Sequence, residues 1–425
     1  MPHKTRLILF YTFVGLFLLL GTVILLYSFG WRIDLETGKI QKIGAIYVKT
    51  NVRDTTIKLN NKTYKDEAGI IQSGTLISSL LPKTYSIEIS KEGYLPYHKT
   101  LTVKPSRVEE ILNVQLIPKT FEPTFVAPTK GTRFIDTTEN ADRIILQDPT
   151  TSVYYLYDET HASSTVNLNM AAANAHRGQK IKHIAFIPFK PTQFILEDTS
   201  GLKLFDLEKR TLEQLTKGTV TAWSIQDSTA IMAGTTKSGT QEISSFNLIF
   251  KTKSTFDDLN KQLSQDMHIT MIKMSGNGNE IAFMTDTNEL FLFTQKDKLL
   301  KRIAGNGKSF AFSPDNKKLL TLSASGDLSI LFLEDFDGDI PKKKGDHIEI
   351  VLPQKESVEA VQWYGDSYHL FINYPSALDI TELDDRKPRN IFPILRNFID
   401  YRFIGKKKSV YFTDAEGIET IRIEQ

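Results

Sequence analysis

The run Asp335-Phe336-Asp337-Gly338-Asp339 alternates carboxylates around a glycine. Such spacing aims hard oxygen ligands at one calcium ion, and the glycine permits the sharp bend that wraps them round it. A complete twelve-residue calcium loop closes on Glu at its last position, and Asp346 stands there instead. The run therefore reads as a solvated turn rather than a metal site. The eight histidines are scattered without metal-ligand spacing, so no metal ligands are assigned. With Cys 0 there is no thiol nucleophile, and no Gly-x-Ser-x-Gly elbow offers a serine one. Glu359 and Asp400 sit near strand positions from which paired carboxylates could work as acid and base, but acids occur there in almost any chain of this pattern. No catalytic or cofactor-binding residues are assigned, and the chain is not expected to be an enzyme.

Two basic runs remain, Lys342–Lys344 and Lys406–Lys408. The second lies between two strands and reads as a solvated hairpin tip; attraction to anionic polymer or lipid headgroups is the sharper alternative. Leu81-Pro82-Lys83-Thr84 matches four positions of a wall-sorting signal, but Tyr85 replaces its glycine and no apolar C-terminal tail follows. It reads as a turn. With 52 basic and 50 acidic residues, the net charge of +2 argues against a dedicated nucleic-acid binder.

The elements around these residues begin with Leu7 to Phe29, about 23 uncharged residues spanning roughly 34 Å as a helix, enough to cross a bilayer core. His3, Lys4 and Arg6 precede it, while Arg32, Asp34, Glu36 and Lys39 come after it and roughly cancel. The positive-inside bias predicts a cytoplasmic tail at 1–6, a transmembrane helix at 7–29 and export of the chain beyond it, with Tyr27 and Trp31 at the far interface. A cleaved signal peptide would need a shorter apolar region and a small-x-small site, and no Ala precedes Ala45. A buried core helix would show a polar face, which this run lacks. Without cysteine, an exported domain rests on packed cores rather than disulfides, and 425 residues suffice for two or three of them. At 40% hydrophobic and 24% charged, the composition is globular rather than a disordered stalk.

From Ile43 to about Pro118 the apolar period is 2. Ala45 to Lys49, Thr56 to Leu59, Tyr85 to Ile89, Leu101 with Val103, and Ile111 to Ile117 read as strands of a compact antiparallel sandwich. The order Gly44-Ala45-Ile46-Tyr47-Val48, Asn60-Asn61-Lys62, Leu80-Leu81-Pro82, Tyr85-Ser86-Ile87-Glu88-Ile89, Lys91-Glu92-Gly93-Tyr94 and Leu116-Ile117-Pro118 resembles a PEGA domain over 43–118. Gly93 would allow a tight turn over which Tyr94 packs. The family usually carries Gly after the Leu-Pro step, where Lys83-Thr84 stand here. The resemblance implies an envelope setting with contacts to surface polymer or protein, and brings no catalytic residue.

Beyond residue 130 the chain repeats about every 45 residues. A short strand ends in a large apolar residue, a polar turn follows, and then come strongly apolar strands. The residues ahead of the turn are Phe134, Phe186, Trp223, Met274, Phe312, Trp363 and Phe403. These predict roughly seven four-stranded units stacked in a ring, a β-propeller over 119–425, with the aromatic row as inter-blade core. The last repeat lacks a fourth strand, which Phe121 to Val126 would supply. Phe312-Ser313-Pro314-Asp315 resembles the WD-like repeat of Tol-type periplasmic propellers, well in this unit and partially in the others. Two insertions interrupt the rhythm: Ala-rich Met170 to His176, and Ser254 to Gln265, read as a short surface helix capped by Ser254.

The expected protein is all-β apart from its anchor: a single-pass cell-membrane protein, N-terminus cytoplasmic and bulk extracytoplasmic. Its expected partners are the lipid bilayer, through the helix, and an envelope protein or surface polymer bound on a propeller face. An exported hydrolase using funnel carboxylates is the second expectation. A sensor is disfavoured by the six-residue tail. Ligand, active face and oligomeric state are not legible.

Overall fold

The computed structural model describes residues 3–424 apart from 68–72, 130, 160–164, 176–179, 217, 237–238 and 339. Asp339 of the acidic run and His176 of the Ala-rich insertion thus lie outside the described residues. The chain divides into two compact units. The first comprises residues 1–120 with two short segments from far along the chain, 337–341 and 384–390; the second comprises the remainder.

The first unit opens with α1 (His3–Ser28), none of whose described side chains is buried. It is long and apolar enough to cross a membrane. A hairpin of β1 (Trp31–Ile33) and β2 (Ile40–Lys42) follows directly. Then come β3 (Gly44–Thr50), β4 (Thr56–Leu59), β5 (Lys62–Lys65), β6 (Thr75–Leu80), β7 (Thr84–Ser90), β8 (Tyr97–Thr102) and β9 (Val108–Val114). They form two sheets, β6-β3-β9 and β5-β4-β7-β8. Alternation decides the inward faces: Ile46 and Val48, Ile57 and Leu59, and Ile87 and Ile89 are all buried. One expectation is corrected. The module is not wholly antiparallel, because β3 pairs with β9 in parallel, Ala45 opposite Val108 and Val48 opposite Ile111. A period of 2 identifies a strand without fixing the direction of its neighbour. Gly93 takes φ +81 in a turn where the Tyr94 N–H donates to the Lys91 carbonyl, 3.1 Å. Leu81 to Lys83 form the turn between β6 and β7.

The second unit consists of four-stranded antiparallel sheets, an arrangement consistent with a β-propeller. Six sheets, within 133–167, 183–214, 220–255, 269–304, 307–350 and 360–396, each take four strands in chain order. A seventh combines strands Asp400–Ile404, Ser409–Thr413 and Ile418–Arg422 with β10 (Thr124–Ala127), which pairs antiparallel to Ile418–Arg422. The segment ahead of the repeats therefore supplies the missing strand.

Each sheet is too thin to bury both faces alone and packs on the next. Ile145 and Leu156 meet Ile184 and Phe194; Ile195 and Leu202 meet Ala230 and Met232. Ile231 and Ile243 meet Ile281 and Phe283, and Leu292 meets Phe310 and Leu319. Ile330 meets Leu370 and Ile372, and the Phe371 ring lies 5.1 Å from that of Phe403. Tyr411 and Ile418 of the seventh sheet then pack against Ile144 and Leu146 of the first, so the succession closes on itself.

The insertions are α2 (Leu168–Ala175) and α3 (Asp257–Asn260). Ser254 does not cap α3: it lies in strand Thr252–Thr255, paired with Ser245, and the N-cap position is Phe256. Nor is the turn merely superficial. Leu259 is fully buried, and the Asn260 side chain accepts the Ile243 N–H and donates to the Ile243 carbonyl, finishing the sheet edge.

Candidate functional site

Of the apolar row, Phe134, Phe186, Trp363 and Phe403 are buried and Trp223, Met274 and Phe312 half-buried, all on the first strands of their sheets. First strands of these sheets, that of the second sheet excepted, line a cavity of about 610 Å³, whose lining includes Phe134, Lys273, Ala311, Gln362, Asp400 and Arg402.

Two acids on first strands make the same bond. The Asp136 Oδ2 accepts the backbone N–H of Phe186 in the next sheet at 2.8 Å, and its Oδ1 accepts the Thr137 N–H. The Asp400 Oδ2 accepts the Phe134 N–H of the neighbouring sheet at 2.8 Å, and its Oδ1 accepts the Tyr401 N–H. Burial pushes both carboxyls up, partly opposed by Arg402 at Asp136 and by the Phe134 N–H at Asp400. Trp363 Nε1 joins sheets in the same manner, donating to the Ala311 carbonyl at 3.1 Å. These groups act as stitches between neighbouring sheets.

Two cations face the same space. The Arg402 Nη2 donates to the Ile135 carbonyl at 2.8 Å, while its buried Nε has no hydrogen-bond partner. The Lys273 Nζ donates to the Phe310 carbonyl at 3.1 Å, and burial, assisted by Arg402, pulls its pKa down. The Asn373 Oδ1, also at the cavity, is buried and unpaired.

Glu359, weighed with Asp400 as a carboxylate pair and not assigned, is exposed and absent from the cavity lining, so the structure does not bring the two together there. At the acidic run, the Asp335 carboxylate accepts the Lys344 N–H at 2.9 Å and pairs with Lys343 Nζ at 3.0 Å. Among the described residues no group of acids and histidines is arranged to hold a metal ion. The basic tip at 406–408 is neutralised residue by residue: Lys406 pairs with Glu139, Lys407 with Glu159 at 3.3 Å, and Lys408 with Glu424. A wider groove of about 1000 Å³ runs along strand His347–Ile350, where Lys355 and Asp327 pair at 2.9 Å in solvent.

Sequence reasoning passed over Lys273 and Arg402. Each is a lone cation between large apolar neighbours in a first strand, Ile272 and Met274 or Tyr401 and Phe403. That interruption of the apolar pattern was the available signal.

No family model matches the chain, and no curated protein matches it either. Among solved structures, the β-propeller domain of Cps50 (Swd1) from Myceliophteria thermophila matches at 8% identity with a TM-score of 0.48, covering 72% of this chain and 100% of that one. The propeller description rests on the strand order and the closed succession of sheets, not on that likeness.

Proposed function

We propose that the chain is a membrane-anchored, extracytoplasmic binding scaffold of the cell envelope. Residues 1–6 are its cytoplasmic tail, 7–29 its anchor, 43–118 a PEGA-like module and 119–425 a seven-bladed propeller that binds an envelope protein or surface polymer through its loops. The observation that carries the reading is α1: 26 residues, apolar over most of their length, none of whose described side chains is buried by protein. In water that surface would drive association, whereas a bilayer removes the cost. Binding rather than hydrolysis is favoured because both oxygens of Asp136 and of Asp400 already accept backbone N–H groups. A ring whose inner acids hold it together leaves its surface loops free to vary, which suits recognition.

The test is protease access on intact cells and spheroplasts, with a tag at each end and immunoblotting of both. The expected result is loss of the C-terminal tag while the cell remains closed. Protection of that tag until lysis would reverse the topology and remove the envelope reading. Separately, turnover of a glycosidic or ester substrate that is lost in Asp400→Asn would replace the scaffold with a hydrolase.

A further inference from the structure

Immediately after α1 the chain forms the small hairpin of β1 and β2, and this hairpin is amphipathic. It is fixed to the end of the helix. Gly30 takes φ +81, and its carbonyl accepts the Ile43 N–H at 2.9 Å. The Arg32 Nη1 donates to the Tyr27 carbonyl at 2.7 Å, and its guanidinium lies 3.4 Å from the centre of the Tyr27 ring. Asp34 is buried, its carboxylate accepting the Glu36 N–H at 3.0 Å and the Thr37 hydroxyl at 2.7 Å. Glu36 reaches Lys83, in the turn between β6 and β7, at 3.6 Å. Arg32, Asp34 and Glu36 are therefore engaged by the helix end, the hairpin's own turn and the β-module.

The apolar side chains are not so engaged. Ile33 and Ile40 face each other across the two strands and are 60% and 59% exposed; Leu35, at the turn, is 92% exposed. They continue the exposed apolar surface of α1 through Phe29, itself 71% exposed. Cations flank the strip: Lys39 beside Ile40, and Lys42, whose ammonium lies 5.5 Å from the Trp31 ring. Aliphatic tips beside an indole and lysines match the region where acyl chains give way to phosphates, since each lysine can hold its stem in the apolar layer and its charge among the headgroups.

We infer that the β1–β2 hairpin lies in the bilayer interface on the side where α1 emerges, with Ile33, Leu35 and Ile40 inserted among the lipids, and so fixes the depth of the anchor. The inference rests on the anchor reading of α1.

The chain contains no cysteine, so single labelling sites are clean. Leu35→Cys and Leu18→Cys, both exposed positions, would each carry an environment-sensitive fluorophore in the full-length protein reconstituted in phosphatidylcholine–phosphatidylglycerol vesicles. Quenching by shallow and deep nitroxide-labelled lipids is compared with quenching by aqueous iodide. The expected result is at least a three-fold stronger response of the Leu35 site to shallow lipid quencher than to iodide, with the Leu18 site answering to the deep quencher. A Leu35 site open to iodide and blind to lipid, with Leu18 still deep, overturns the hairpin insertion and leaves the anchor standing. A Leu18 site that no lipid quencher reaches overturns both. Shielding at Leu35 that disappears as protein is diluted in lipid assigns the strip to a second copy of the chain and overturns the inference.

Discussion

Lys99 and Asp384 form a wholly buried ion pair, 3.7 Å apart, inside the first unit. The same ammonium donates to the carbonyls of Asp384, Arg386 and Pro388, at 3.2, 2.6 and 3.2 Å. A loop that belongs in sequence between strands Ala377–Glu382 and Ile391–Arg396 is thus folded around one lysine of β8. Asn390 adds a reciprocal pair of bonds with the His98 backbone, 3.0 and 2.9 Å.

Lys99→Met is expected to destabilise the first unit by roughly 1–3 kcal/mol, because three buried carbonyls lose their donor together while the Asp384 carboxylate keeps its pair with Arg386 at 2.6 Å. Urea denaturation measures the loss. Hydrogen exchange should quicken at the Thr100 amide, which donates to the Lys387 carbonyl at 2.9 Å. Unchanged exchange there would show that the loop holds without the lysine.

Deleting residues 119–126 should open the ring, since β10 is the outer strand of the seventh sheet. A fall in melting temperature of about 10 °C or more is expected, at roughly 3 °C per kcal/mol for a unit of this size. Melting at the parent temperature would mean that β10 contributes nothing to closure.

The turn Ser313 to Asn316 contains a pH-sensitive stabiliser. Burial by itself would raise the Asp315 pKa, but the Lys318 ammonium at 2.7 Å and the Ser313 hydroxyl at 2.5 Å more than offset it, and the carboxyl titrates below 3.8. The native state therefore binds this proton less readily than the unfolded chain. The stabilisation is complete above about pH 3.8 and is lost as pH falls through the lowered folded value. Asp315→Asn should cost about 1.5–3 kcal/mol at pH 7, through the fully buried Lys318 it leaves behind, and the gap to wild type should narrow in acid. A gap constant from pH 7 to pH 2 would contradict this.

Lys273 should behave in the opposite sense. Its folded pKa lies below 10.5 because burial, and then Arg402, disfavour the ammonium. The unfolded chain binds that proton more tightly, so the wild type gains stability as pH rises from the lowered value toward 10.5. Lys273→Met should be neutral or slightly stabilising at pH 7 and should lack the alkaline gain. A loss above about 3 kcal/mol at pH 7 would identify Lys273 as a structural stitch comparable to Asp136.

Much of this organisation was legible because periodicity is physical. The seven residues from Phe134 to Phe403 mark the first strands, where a large side chain must fill the gap between adjacent sheets. The long apolar helix was legible because no charge in Leu7 to Phe29 interrupts it. Partner choice was not. The parallel pairing of β3 with β9 and the wrapping of 384–390 around Lys99 depend on which surfaces meet across long stretches of chain, and local pattern is silent on that. One trace existed: Lys99 occupies an inward position between Tyr97 and Leu101 in β8, where an ammonium needs a built partner. At the cavity, the apolar frame hid the cations of Lys273 and Arg402.

The pairing of β10 with Ile418–Arg422 also sets a clock. Roughly 290 residues separate the two strands, and at ~5–20 residues per second the ribosome needs about 15–60 s to deliver the second after the first. Throughout that interval β10 has no partner to receive it, and a chain interrupted before Ile418 never gains one. Such a product would carry an open strand edge on an otherwise packed body, a surface prone to pair with other chains. The seam that completes the ring is therefore also a check on synthesis as far as Arg422, since only a chain that reaches this strand can hide its own first blade strand.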